Sequence, residues 1–282
     1  MKRIAILLSL CLVFCAQAYC QDTVKLQYKF TPGELLRYKI VFDANVQLDA
    51  PSTGKSLTIP VRMSAVYRQR TKRILPDGNA ELNVAFESMR MQLGNEARDL
   101  PVKQIPVITM VMAKTGQIQS AGATVNGIMA NQMLGANGFG QSLLPDAELM
   151  VGDSWTQEIP EIPGVGKFQT RGTLVSSNMK LGKYTVAAIK ESIGGNLNLD
   201  SAIAQSFQGT SAQLPPGMKM DGAFLGDGTV YFSAERGQLI RTDGQVDVQV
   251  NVNIPEIQGQ PVGNAAATMH MTYEMFLLSA GK

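Results

Sequence analysis

Between residues 245 and 254 the chain alternates without a break, with Val246, Val248, Val250, Val252 and Ile254 on one side and Gln245, Asp247, Gln249, Asn251 and Asn253 on the other. Successive side chains of an extended strand point to opposite faces, so this period of two predicts a strand with one face buried and one wet. Residues 228–234 and 237–241 read as two further strands, with Glu235-Arg236-Gly237 and Thr242-Asp243-Gly244 as turn or bulge signals between them. The first half follows the same rule. Leu26, Tyr28 and Phe30 alternate before the Pro32-Gly33 turn, and Leu36, Tyr38, Ile40 and Phe42 after it. Leu57, Ile59, Val61, Met63, Ala65 and Tyr67 continue opposite Thr58, Arg62, Ser64, Arg68, Arg70 and Lys72, a basic set that reads first as a solvated strand face. Past the hairpin signal Pro76-Asp77-Gly78, Leu82, Val84 and Phe86 hold one phase, but Met89, Met91 and Leu93 hold the other. One extra residue restores a common face, so a β-bulge is expected near Ser88. Residues 105–112 are almost all apolar and predict a central strand buried on both faces.

The pattern changes at residues 120–150. Val125, Ile128, Met129, Gln132, Met133 and Ala136 keep helical spacing behind Thr124 as a cap, and Gly135, Gly138 and Gly140 end the helix early. Strands resume at 168–176, 183–191 and 197–199. A second short helix is expected at 200–207 with Asp200 as its cap, and Met269, Met271, Tyr273, Met275 and Leu277 mark a closing strand. Two motifs repeat: Ala113-Lys-Thr-Gly-Gln-Ile118 answers Ala234-Glu-Arg-Gly-Gln-Leu239, and Gly33-Glu34 answers Gly152-Asp153. The expected fold is all-β with minor α: antiparallel meanders in two similar halves, forming a curved sheet or half-barrel with a short helical segment between them. The chain divides into a signal peptide at 1–18, an N-terminal meander at 22–122, a helical and glycine-rich connector at 123–147, and a C-terminal meander at 148–280.

Lys2 and Arg3 precede an apolar run over residues 4–14, and Ala16-Gln-Ala18 offers small residues where signal peptidase cuts. The run is too short to cross a bilayer of ~30 Å, and no later segment is both long and apolar enough. The protein is therefore expected to be exported, periplasmic or secreted. A lipoprotein anchored through Cys20 is the less favoured alternative, because Tyr19 fits poorly before a lipidated cysteine. Removing Lys2 and Arg3 leaves 23 of the 25 basic residues against 23 acidic ones. That balance argues against a nucleic-acid partner, which needs a basic excess.

No catalytic set stands out. Acyl transfer needs a nucleophile with a base in reach, but the one histidine, His270, lies on the polar phase of its strand. Glu158 and Glu161 flank Pro160 and read as loop charge. Gly135-Ala-Asn-Gly138-Phe-Gly140 lacks the spacing of a nucleotide loop. The pairs Met89/Met91, Met110/Met112, Met218/Met220 and Met269/Met271 could suggest soft-metal ligands. Residues two apart share a strand face, however, so they fit an apolar interior better, and neither metal nor cofactor is expected.

The Gly-Asp-Ser-Trp start at Gly152, the Ala-Glu-Arg-Gly-Gln-Leu-Ile turn at Ala234 and the Met-rich last strand resemble a family of exported bacterial β-rich proteins of unknown function. Its architecture is similar to the half-barrels of the periplasmic lipoprotein-carrier group (LolA and LppX). The resemblance implies a curved antiparallel sheet with helices across its concave side, where that group holds lipid. The functional expectation is a non-enzymatic envelope protein that binds a lipid or other apolar small molecule, with Val125, Ile128, Met129, Met133, Met110 and Met112 as candidate ligand-binding residues. The competing expectation is a structural component with a solid core and an envelope protein as partner. An enzyme of unrecognised type ranks third.

Overall fold

The computed structural model describes residues 23–50, 55–122, 142–162, 166–198, 219–254 and 263–281. Most of them are strand: β1 (Val24–Lys25), β2 (Leu35–Ala50), β3 (Lys55–Ile74), β4 (Ala80–Leu93), β5 (Glu96–Asp99), β6 (Ile108–Met112), β7 (Ile118–Gly122), β8 (Glu148–Leu149), β9 (Ser154–Ile162), β10 (Gly166–Leu181), β11 (Tyr184–Asn198), β12 (Lys219–Ser233), β13 (Gln238–Ile254) and β14 (Gly263–Gly281). Among the described residues the one helical turn is a 3-10 turn at Val102–Gln104. No helix there is long and apolar enough to cross a membrane. The helices expected at 125–136 and 200–207, the signal peptide expected at 1–18, and Cys20 lie outside the described residues.

β1 pairs with β8, and every other strand joins one antiparallel sheet in the order β7-β6-β4-β3-β2-β14-β13-β12-β11-β10-β9, with β5 added to β4. The sheet is curved and does not close into a barrel. The two expected halves meet inside it, because β14 pairs with β2 from Ala266 opposite Asp49 to Gly281 opposite Leu35. One core cluster unites Leu82 and Met110, from strands near one edge, with Leu174 and Ile189 from strands near the other. Leu26, Tyr28 and Leu144 belong to the same cluster, so the face that these strands share is the one enclosed by the curl, the concave face.

The bulge in β4 falls where the phase of the sequence changes. Val66 pairs with Ser88 and Tyr67 with Phe86, so Glu87 is the extra residue, and Phe86 and Met89 both point inward. A second irregularity at Lys72 turns Lys72 and Arg73 onto the Glu81 carboxylate at 2.5 Å each.

Four expectations need correction. Thr242-Asp243-Gly244 is not a turn, since β13 runs unbroken and pairs these residues with Val230, Thr229 and Gly228. The glycines instead make space: a Cβ at Gly244 would lie 2.8 Å from Tyr273 Oη, and one at Gly228 2.9 Å. Residues 183–191 and 197–199 are likewise one strand, β11, continuing through Gly194 and Gly195. Residues 105–112 do not form a central strand buried on both faces. β6 is second from the sheet edge, buries only Ile108, Met110 and Met112, and is preceded by Val107 at 51% exposure. So near the edge, only the concave face has a core to meet. Glu158, Pro160 and Glu161 lie in β9, not in a loop; β9 pairs only with β10, and an edge strand tolerates proline.

A short N-terminal segment plugs one end of the curl. Beyond β1, the Tyr28 amide donates to Lys114 O at 2.8 Å and the Lys29 amide to Gly237 O at 3.0 Å. The two repeated turn motifs therefore grip neighbouring residues of one segment. Gly237 holds φ +63°, and a Cβ there would lie 2.3 Å from Lys29 N. The other repeated motif is also matched bond for bond. Gly33 donates to Thr71 O and receives the chain back through Thr71 N to Glu34 O, as Gly152 does with Leu174 O and Leu174 N with Asp153 O.

Candidate functional site: the open half of the concave face

Paired residues of an antiparallel sheet share a face, so the register traces rows of side chains across the concave surface. The row at the closed end, Leu174, Ile189, Val230, Thr242, Met275, Ile40, Ala65 and Met89, is buried throughout. Aromatic rings fill the space beside it. Tyr38 stacks on Tyr67 at 5.4 Å, Tyr28 meets Phe232 edge-on at 5.1 Å, and the phenols of Tyr28 and Tyr38 donate to Ser142 O and Leu239 O at 3.2 Å.

Further along the strands the same face opens. Ile159, Phe168, Gly195, Phe224, Val248, Met269, Val46 and Ile59 form one row over eight strands. Ile159 and Phe168 are buried with Leu143 in a second cluster, whereas Phe224, Val248, Met269, Val46 and Ile59 remain half-buried. The next row outward, Leu197, Gly222, Val250, Ala267, Leu48 and Leu57, reaches 41% exposure at Leu48 and 57% at Leu57. The long strands thus carry one apolar stripe that is packed at one end and unsealed at the other.

Residues 142–144 form a strap where the two halves of the face meet. The Leu144 amide donates to Thr115 O at 2.8 Å, Trp155 Nε1 to Leu143 O at 3.0 Å, and Gln157 Nε2 to Leu144 O at 3.2 Å. The Ser142 hydroxyl donates to the Glu191 carboxylate. Glu191 lies on the concave face between Ile189 and Ile193, in the row Trp155, Gly172, Glu191, Gly228, Gly244, Tyr273. Burial pushes its carboxyl up to about 7, and the Ser142 hydrogen bond only partly opposes this. Burial also raises the Tyr273 phenol to about 12, and Glu191 adds to the shift. The strap covers this polar group and separates the sealed core from the open stripe.

Of the residues proposed from sequence, Met110 and Met112 are 1% and 0% exposed and sit in the main core beside Leu82. Val125, Ile128, Met129 and Met133 lie outside the described residues. His270 points to the opposite face, where its Nδ1 lies 2.7 Å from Oδ1 of its cross-strand neighbour Asp247. The Ser142 and Glu191 pair therefore has no imidazole beside it. Among the described residues, no group of three or more His, Cys, Asp or Glu is placed to hold a metal. A groove of about 780 Å³ on the outer face has two ion-paired groups in its lining, Arg62 with Asp43 at 2.9 Å and Arg241 with Asp243 and Glu274 at 3.0 and 2.9 Å, beside Lys39, Lys190 and Asp227. Glu191 and Ser142 were not singled out from sequence, and Trp155 entered only through the Gly-Asp-Ser-Trp motif. The available signal was a carboxylate at an inward position, Glu191 sharing its phase with Ile189 and Ile193.

No family model and no curated protein matches the chain. Among solved structures, lipovitellin, in a study of its lipid–protein interactions, overlays with a TM-score of 0.44 at 10% identity. That match covers 90% of this chain and 26% of lipovitellin, so the chain spans about a quarter of that protein's length. DynF from the dynemicin biosynthesis pathway of Micromonospora chersina gives a TM-score of 0.24 at 9% identity, covering 92% of this chain and 86% of that one. An outer membrane lipoprotein-sorting protein domain from Vibrio parahaemolyticus gives 0.18 at 5% identity, covering 86% of this chain and 84% of the other.

Proposed function

We propose that this is an exported, non-enzymatic protein of the bacterial envelope that holds a lipid or another apolar molecule against the open half of its concave face. The observation that carries this reading is the half-buried stripe of Phe224, Val248, Met269, Val46 and Ile59, continuous with a sealed core yet not sealed itself. Leaving so much apolar surface half wet is unfavourable by about 25 cal/mol per Å², and an apolar guest would recover that energy. Flexible methionine side chains suit guests of varied shape. In this reading Met110 and Met112 belong to the packed floor, and Val125, Ile128, Met129 and Met133 meet the guest from the connector. The basic start and apolar run of the leader support export. The matched turns at Gly33 and Gly152, and at Gly116 and Gly237, support reading residues 22–122 and 148–280 as related halves.

The test is uptake of a pyrene-labelled fatty acid by the purified protein, with mass spectrometry of its organic extract. Saturable binding, co-purified lipid and a raised Tm are expected. Val248→Asp, which puts a charge in the middle of the stripe, should weaken uptake about tenfold or more. Absence of both co-purified lipid and saturable uptake would overturn the proposal.

A further inference from the structure

The outer face of β2, β3 and β4 carries a feature that apolar binding does not use. A groove of about 390 Å³ is lined by Gly33, Leu35, Arg68, Arg70, Asn83, Ala85 and Val107, a volume suited to a small ligand. Arg68 and Arg70 are exposed and point the same way from β3. Their cross-strand neighbours are Arg37 and Leu35 on one side and Ala85 and Asn83 on the other.

Three cations on the same strand have acidic partners: Arg62 has Asp43, and Lys72 and Arg73 share Glu81. Arg37, opposite Arg68, is tied to Glu87 at 2.6 Å. Arg68 and Arg70 have no ion-pair or hydrogen-bond partner among the described residues, and no acidic side chain lines the groove. Like charges held this close repel each other, and an anion between them would offset that repulsion. Asn83 Oδ1 already accepts from the Thr109 hydroxyl at 3.1 Å, which leaves its amide NH2 as the group with donors to offer. The polar side chains thus offer donors only, while Leu35, Ala85 and the exposed Val107 supply an apolar wall.

We propose that this groove binds an organic anion, a phosphate or carboxylate borne on a short apolar body, with the oxygens on Arg68 and Arg70 and the hydrocarbon against Leu35 and Val107. Planar guanidinium groups match such oxygens in a paired geometry that an ammonium cannot reproduce.

Calorimetric titration with hexyl phosphate is expected to show one site per chain, weakened by added salt. Inorganic phosphate and hexanol should each bind about tenfold or more weakly, since each keeps only half of the recognition. The double variant Arg68→Gln/Arg70→Gln should lose binding about tenfold or more, with an unchanged circular dichroism spectrum, and Arg68→Lys/Arg70→Lys should recover only part of it. Val248→Asp should leave hexyl phosphate binding intact, which separates this groove from the concave face. Sedimentation with phosphatidylglycerol vesicles that needs both arginines assigns the anion to a lipid headgroup. Hexyl phosphate binding without sedimentation assigns it to a soluble compound, and both results uphold the site. Equal binding by the glutamine variant, or hexanol binding as well as hexyl phosphate, would overturn it.

Discussion

Glu191 is a carboxylate held in surroundings that disfavour its charge. Its carboxyl titrates at about 7 in the fold, against 4.5 for a free glutamate, because burial disfavours the charged form. Between those values the folded protein holds a proton that the unfolded chain has released. The stability contribution is therefore complete below about pH 4.5 and is lost as pH rises through 7. A loss of about 2 kcal/mol between pH 5 and 8 is expected in urea titrations, allowing for the surface Glu191 keeps exposed. Glu191→Gln should flatten that dependence, and an equally steep profile in the variant would assign it to other groups. A second residue-scale test uses the single tryptophan. A Cβ at Gly172 would lie 2.3 Å from Trp155 Cζ2. Gly172→Ala should displace the ring, break its bond to Leu143 O, shift the emission maximum to the red and destabilise the protein by about 1–3 kcal/mol. An unmoved emission maximum would show that the ring is not held as described.

At the scale of elements, the bulge in β4 and the strand breaks teach opposite lessons. The bulge was legible because it changes the phase of an alternation, and the sequence records phase directly. Deleting Glu87 should swing Met89, Met91 and Leu93 onto the wet face and either prevent folding or cost more than about 4 kcal/mol. Glu87→Ala, which keeps the residue count and loses only a partly exposed ion pair with Arg37, should cost about 1 kcal/mol or less. Similar midpoints in chemical denaturation for the two variants would refute that role of the extra residue. The expected breaks at Gly244 and at Gly194 did not occur. Glycine marks a left-handed turn at Gly237, yet at Gly228 and Gly244 it makes space for the Tyr273 ring. One letter serves both purposes, and only the neighbouring strand distinguishes them.

Across the whole molecule, packing is uneven along the strands, and this can be measured. Leu82 is fully buried at the closed end, so Leu82→Ala should cost about 2–5 kcal/mol. Val248, half-buried in the open stripe, should lose about 1 kcal/mol or less as Val248→Ala. Comparable losses at both positions in urea denaturation would mean that the stripe is packed as tightly as the core. Sequence by itself determined the all-β class, the inward face of nearly every strand, the outward placing of His270 and the bulge, because each depends on the alternation of neighbours along one strand. Tertiary structure alone decided that both halves join one sheet through β14 and β2, that residues 142–144 cross the concave face onto Glu191, and that Arg68 and Arg70 face a groove without an acid. Those features depend on which strands lie side by side and how far the sheet curls, and the periodicity of one strand does not encode its partner.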